Sequence, residues 1–138
     1  MYMSDVELLA RLIQCEAGGE GVTGMQAVAS VIMNRVNQTQ GEYGRYNTIR
    51  DVIYAPRQFE CASNQQQSIP NMNPEAIHYE IATWAIAGGR LSDLVDALWF
   101  FNPHSDTCRN NFPNRNGYFQ ARIGDHCFYS PADSYYST

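Results

Sequence analysis

Apolar residues recur at helical spacing through the first part of the chain. Leu9, Leu12 and Ile13 form one stripe behind Ser4-Asp5-Val6-Glu7, whose S-x-x-E order is a capping box. A helix is therefore expected from there to the break at Gly18-Gly19. Val28, Val31, Ile32 and Val36 mark a second helix, from about Thr23 to Asn37. Its small residues Gly24, Ala27, Ala29 and Ser30 suit close helix packing. Thr48 caps a short helix, TIRDVIY, with Asp51 at the capping-box position and Pro56 at its end. Asn73-Pro74-Glu75 reads as an N-cap, a first-turn proline and a first-turn acid. The helix that follows shows Ile77, Ile81, Trp84 and Ala85 on one face and stops at Gly88-Gly89. The polar stretches 37–47 and 57–73 read as loops, and the second is long enough to line a site.

Later the pattern shortens to strands. ALWFF is a candidate strand closed by Asn102-Pro103, and YFQARI and HCFY flank Gly124-Asp125, a two-residue hairpin signal. The tail PADSYYST is expected to fray. Helices first and a small antiparallel β region afterwards predict an α+β, mainly helical fold. The length of 138 residues fits one domain, 1–138, able to bury a core.

Composition narrows the function. Hydrophobic content of 44% against 17% charged residues is globular, not disordered. The basic residues are all Arg and scattered, so no basic stripe points to nucleic acid. The net charge of -5 leaves binding of an uncharged polymer unaffected. No apolar run approaches a membrane span, and the N-terminus MYMSDVELL lacks signal-peptide character. Cys108 and Cys127 lie in a loop-rich region, where a disulfide and free thiols both remain open.

The chemistry centres on Glu16. It follows Leu9, Leu12 and Ile13 by seven, four and three residues and so projects from the same apolar face. An apolar setting and the negative end of a helix dipole both favour the neutral acid, the form that protonates a leaving-group oxygen. Against this stands a structural acid paired with an Arg such as Arg35, itself expected to meet an acid or carbonyls. Glycosidic cleavage commonly uses two carboxylates. Glu20 and Glu60 are the candidates for a second one; Glu20 reads more readily as a solvated loop residue, and Glu60 equally fits a solvent-facing place in the long loop. Cys15 could act as a nucleophile with His78, His104 or His126, but a helix C-terminus disfavours its thiolate, so it reads as core packing. A zinc site from His104, Cys108, His126 and Cys127 is disfavoured because adjacent strand residues face opposite ways. Aromatic residues, 12% of the chain, suit a glycan groove.

Several segments together resemble the SleB/CwlJ family of spore cortex-lytic cell wall hydrolases. They are LLARLIQCEAGGEGVTGMQAVASVIMNRV, TIRDVIYAPRQFE and LWFFNP, in that order. The ending DTCRNNFP…YFQARIGDHCFYSP is closest to the CwlJ branch, and the resemblance runs from about Asp5 to Pro131. It implies a two-lobed fold similar to lysozyme-like lytic transglycosylases, with a substrate cleft between a helical lobe and a small β lobe. It implies that Glu16 is the acid that cleaves peptidoglycan glycan strands between N-acetylmuramic acid and N-acetylglucosamine during germination. Gln58 and Phe59 match a QF motif and Phe101-Asn102 an aromatic-Asn-Pro motif, so these residues, with Glu60, are expected to line the cleft. The resemblance also implies a Cys108–Cys127 bond and a place in the spore coat or cortex region without a signal peptide. It further implies a coat protein partner and a response to calcium dipicolinate, though no calcium loop is present; neither a cofactor nor a tightly bound metal is expected. Muramidase-type hydrolysis, a non-catalytic glycan-binding or coat module, and a Cys or zinc amidase are the alternatives.

Overall fold

A computed structural model describes residues 2–63 and 69–138, with the side chain of Ser63 excepted. Two long helices, α1 (Asp5–Ala17) and α2 (Gly21–Val36), are joined by a tight corner at Gly18-Gly19-Glu20. Ser4 caps α1 as its sequence requires, its hydroxyl accepting from the Glu7 N–H at 3.2 Å. Thr48 does the same for the short α3 (Ile49–Ile53), accepting from Asp51 N–H at 3.0 Å. The helix after residue 73 starts later than its sequence suggests. It is α5 (Ala76–Ile86), and its N-cap is Glu75, not Asn73. The Glu75 N–H donates to His78 Nδ1 at 2.9 Å, which closes a reciprocal cap and employs the buried His78 structurally. Asn73 instead exchanges two hydrogen bonds with the Gln14 side chain, tying its loop to α1.

The long segment 57–73 is more ordered than a loop over its described parts. It holds the one-turn α4 (Glu60–Ser63) and a 3-10 turn at Ile69–Asn71. Residues 64–68 lie outside the described residues. The polar stretch 37–47 likewise contains a 3-10 turn, Glu42–Arg45.

Three strands form an antiparallel sheet in the order β1-β3-β2: β1 (Trp99–Phe101), β2 (Gly117–Ile123) and β3 (His126–Pro131). The β2–β3 hairpin turns at Gly124-Asp125, where Gly124 has φ +58, a value that favours glycine. A register shift between Phe119 and Ala121 bends β2.

The core divides by chemistry. The aliphatic part is built from α1, α2, α3 and α5, with Leu8, Leu9, Leu12, Ile13, Ile32 and Ile53 essentially inaccessible. The sheet part is aromatic, with Tyr43, Trp99, Tyr129 and Tyr135 buried together. Tyr135 belongs to the tail that the sequence marks for fraying. It is fully buried, its hydroxyl donates to Gln40 C=O at 2.8 Å and accepts from Tyr43 N–H at 3.1 Å, so the tail is packed. The polar letters of PADSYYST conceal one anchoring ring.

Candidate active site

Glu16 sits on the last turn of α1, one residue before buried Ala17 and beside the break that opens the α1–α2 corner. Its carboxyl is partly buried, and its pKa is raised from 4.5 to about 7, first by burial and then by the negative charge of Glu60. No ion pair joins it to Arg35 among the described residues, so the structural pairing considered for it is not found.

Arg35 lies at the other end of α2, about 20 Å along the helix from the corner at a 1.5 Å rise per residue. It is buried, donates from Nε to Leu98 C=O at 2.7 Å and from Nη1 to Gln58 Oε1 at 3.1 Å, and stacks on the Tyr43 ring at 4.4 Å. The expectation of carbonyl partners is met. Tyr43 Oη also donates to Gln58 Oε1, at 3.0 Å, so Gln58 is fixed from two sides. Phe59 follows, buried, 5.2 Å below the Arg35 guanidinium and 6.3 Å from the Phe100 ring. The run Gln58-Phe59-Glu60 thus leads from Arg35 to Glu16. A cavity of about 550 Å³ lies at the Arg35 end, walled by Tyr43, Arg57, Gln58, Trp99 and Phe100 among others. Arg57 adopts φ +61 at its rim.

The predicted residues do not all converge. Glu16, Glu60, Phe59 and Gln58 form one chain of neighbours. Phe101 points elsewhere: its ring stacks on Phe112 at 4.6 Å and Tyr129 at 5.7 Å. Asn102 holds the following turn, Oδ1 accepting from His104 N–H at 2.8 Å, and lines a separate hollow with Arg122 and Asp125. Strand alternation explains this, because Phe100 and Phe101 face opposite sides of the sheet. Phe100 is the ring that meets Phe59. Sequence reading missed it, although the QF and FFNP motifs contain both partners.

Two further expectations need correction. Glu20 is not a solvated loop residue: its Oε1 accepts from His126 Nδ1 at 2.8 Å, with both side chains less than one-fifth exposed. Glycine makes the seat, since a Cβ at Gly24 would meet Glu20 Cβ at 2.4 Å and one at Gly124 would meet Glu20 Oε2 at 2.9 Å. The Glu20–His126 contact ties the corner beside Glu16 to the hairpin. Cys15 is not simple packing either. It is bonded to Cys61, and Cys108 is bonded to Cys127. These bonds remove the thiol nucleophile and the thiolate zinc ligands considered from sequence. The Cys108–Cys127 pairing agrees with the resemblance, whereas Cys15–Cys61 carried no sequence signal beyond an even cysteine count. Among the described residues no three His, Cys, Asp or Glu side chains gather as metal ligands, and no helix is long and apolar enough to cross a membrane.

Comparison with known proteins bears on the whole arrangement. The Cell Wall Hydrolase family matches residues 19–129, a span that begins just after Glu16. The chain is similar to the cell wall hydrolase CwlJ of Bacillus subtilis, 35% identical over 93% of this chain and 86% of that protein. It is also similar to CwlJ of Oceanobacillus iheyensis, 32% identical over 93% of this chain and 87% of that one. The spore cortex-lytic enzyme of B. subtilis is 34% identical over 75% of this chain, which spans 31% of that longer protein. Among solved structures, the catalytic domain of the germination-specific lytic transglycosylase SleB from Bacillus anthracis superposes with a TM-score of 0.70. It is 28% identical and covers 94% of this chain and 97% of that domain. A helical body with a small antiparallel sheet, sharing its fold with a SleB catalytic domain and most of its length with CwlJ, makes this chain an enzyme of the Cell Wall Hydrolase family, acting on peptidoglycan.

Proposed function

We propose that this enzyme cleaves the glycan strands of spore cortex peptidoglycan during germination, between N-acetylmuramic acid and N-acetylglucosamine, with Glu16 as the general acid. The observation that carries the reading is the Glu16 carboxyl itself, partly buried at the end of α1, with its pKa pushed up to about 7 so that much of it keeps its proton near neutral pH. The similarity to SleB and CwlJ proteins supports the substrate and the setting. Glu16 gives its proton to the glycosidic oxygen as the bond to the muramic C1 breaks. The resulting carboxylate then takes the proton of the muramic C6 hydroxyl as that oxygen attacks C1, leaving a 1,6-anhydro end and consuming no water. A lytic transglycosylase of this kind requires one acid.

Glu60 supports a second reading, muramidase-type hydrolysis, because it is a carboxylate close enough to act on Glu16. In that case water supplies the new oxygen and the product has a reducing end. Gln58 and Phe59 are assigned to the cleft wall, with Phe100 added and Phe101-Asn102 supporting the strand end from behind. A place in the spore coat and cortex region and a coat protein as partner belong to the same proposal, and the similarity to CwlJ proteins supports the spore setting.

The test is digestion of purified cortex followed by mass spectrometry of the products. Anhydro-muramic ends identify transglycosylation, reducing muramic ends identify hydrolysis, and free peptides identify an amidase. Glu16→Gln should lower product release at least a thousandfold with the fold intact. Activity retained in that variant overturns the assignment of Glu16, and full cortex binding without any product from the unmodified protein identifies a binding module.

A further inference from the structure

The two disulfides differ in what stands beside them. Cys15 precedes Glu16 directly, and Cys61 follows Glu60 directly. The bond therefore joins the chain at the two positions next to the two carboxylates, with its Cα atoms 6.2 Å apart. Cys61 is buried in the aliphatic core, and Phe59 anchors the other side of Glu60 under Arg35. Glu60 lies between these anchors and opens α4, a single turn of four residues that contains Cys61. A helix that short has little stability of its own and takes its position from what holds it.

We propose that the Cys15–Cys61 disulfide is a positioning element of the reaction: it holds Glu60 against Glu16 and so sets the pH range in which Glu16 can donate its proton. This rests on Glu16 as the acid. Other charged or titratable groups stand on the elements packed around α1: Arg35 on α2, Arg50 and Asp51 on α3, His78, Tyr79 and Glu80 on α5, and the Glu20–His126 contact at the corner. Glu60 is the charged group that acts on the Glu16 carboxyl, and its negative charge favours the protonated form. Moving Glu60 away therefore lets Glu16 ionise at lower pH.

Opening the bond takes two electrons and two protons, supplied by a dithiol reductant that becomes a cyclic disulfide, and leaves two thiols. Activity on cortex fragments as a function of pH reads the consequence. In the unmodified protein activity should fall as pH rises through about 7. In Cys15→Ala/Cys61→Ala that alkaline limb should move to lower pH by about half a unit, which costs about threefold in rate at pH 8. Glu60→Gln should move it similarly with the bond intact, and adding Glu60→Gln to the double cysteine variant should move it little further. Cys108→Ala/Cys127→Ala should leave it in place, although that variant also loses a disulfide. If the double cysteine variant folds poorly, dithiol treatment of the native chain provides the same comparison, with alkylation and peptide mass spectrometry showing which bond has opened. An unmoved limb with Cys15–Cys61 open, or additive shifts from the two changes, overturns the inference. The titration of Glu16 followed by carbon NMR separates this from the assignment of the acid. A lowered Glu16 pKa on opening the bond together with an active Glu16→Gln variant overturns the assignment of the acid, and with it the role in the reaction, while the hold of the bond on Glu60 stands.

Discussion

The helical body and the sheet solve different problems with different cores. Around α1 and α2 the core is aliphatic, and it brings a carboxyl to its edge where water is scarce. Around the sheet it is aromatic, and the hydroxyls of its buried tyrosines find partners: Tyr43 on Gln58, Tyr129 on Arg109 C=O and Tyr135 on Gln40 C=O. Burial pushes up the pKa of the Glu16 carboxyl in one and of the Tyr43, Tyr129 and Tyr135 hydroxyls in the other, but the tyrosine-rich packing also gives its polar atoms hydrogen-bond partners that fix position. The difference teaches that the acid proposed for the reaction belongs to the helical region, and that the sheet's proposed contribution is a wall opposite it.

Arg35 joins the two regions, so its loss has the largest expected effect. Arg35→Ala removes the donors to Leu98 C=O and Gln58 and empties the space between the Tyr43 and Phe59 rings. A destabilisation of about 3–4 kcal/mol is expected, measured by urea denaturation. A loss below about 1 kcal/mol would mean that the two cores hold together without it.

Opening the sheet's own bond comes next. Cys108→Ala/Cys127→Ala frees a segment closed over a separation of 19 residues and should cost about 3 kcal/mol by chain entropy. The loss should appear in thermal unfolding.

The helical region should show the opposite sign at one position. The folded-state pKa of Glu16 lies above its unfolded value, so the native state binds the extra proton. Its contribution to stability is fully present below about pH 4.5 and is lost as pH rises through about 7. Glu16→Gln removes the ionisable group. The variant should be more stable than the unmodified protein at pH 8, by about 1–2 kcal/mol after discounting for partial exposure, and no more stable at pH 4. A stability difference independent of pH would contradict the raised pKa.

The smallest effect is expected at the bridge between the corner and the hairpin. Glu20→Gln or His126→Asn should each cost about 1 kcal/mol, and the double variant should cost clearly less than the sum because the two side chains share one contact. Additive losses would show that they act separately.

How much of this was legible in the sequence follows from the range of each interaction. The caps of α1 and α3 and the hairpin at Gly124-Asp125 depend on neighbours within a few residues, and each formed where the pattern put it. The aim of Glu16 toward the core followed from spacing to Leu9, Leu12 and Ile13. Asn73 is not the cap that its local sequence suggests, because the Gln14 side chain of another helix holds its backbone. Phe100 and Phe101 could not be told apart without knowing which face of β1 meets Phe59.

The sequence by itself determined the two long helices, the cap of α3, the hairpin, the scatter of its basic residues and the identity of the acid candidate, because periodicity, capping and turn chemistry are local. Only the tertiary structure decided what surrounds that acid. The Cys15–Cys61 bond spans 46 residues, and Glu20 meets His126 from the far end of the chain. Contacts of that kind depend on how elements pack, and no local pattern encodes them.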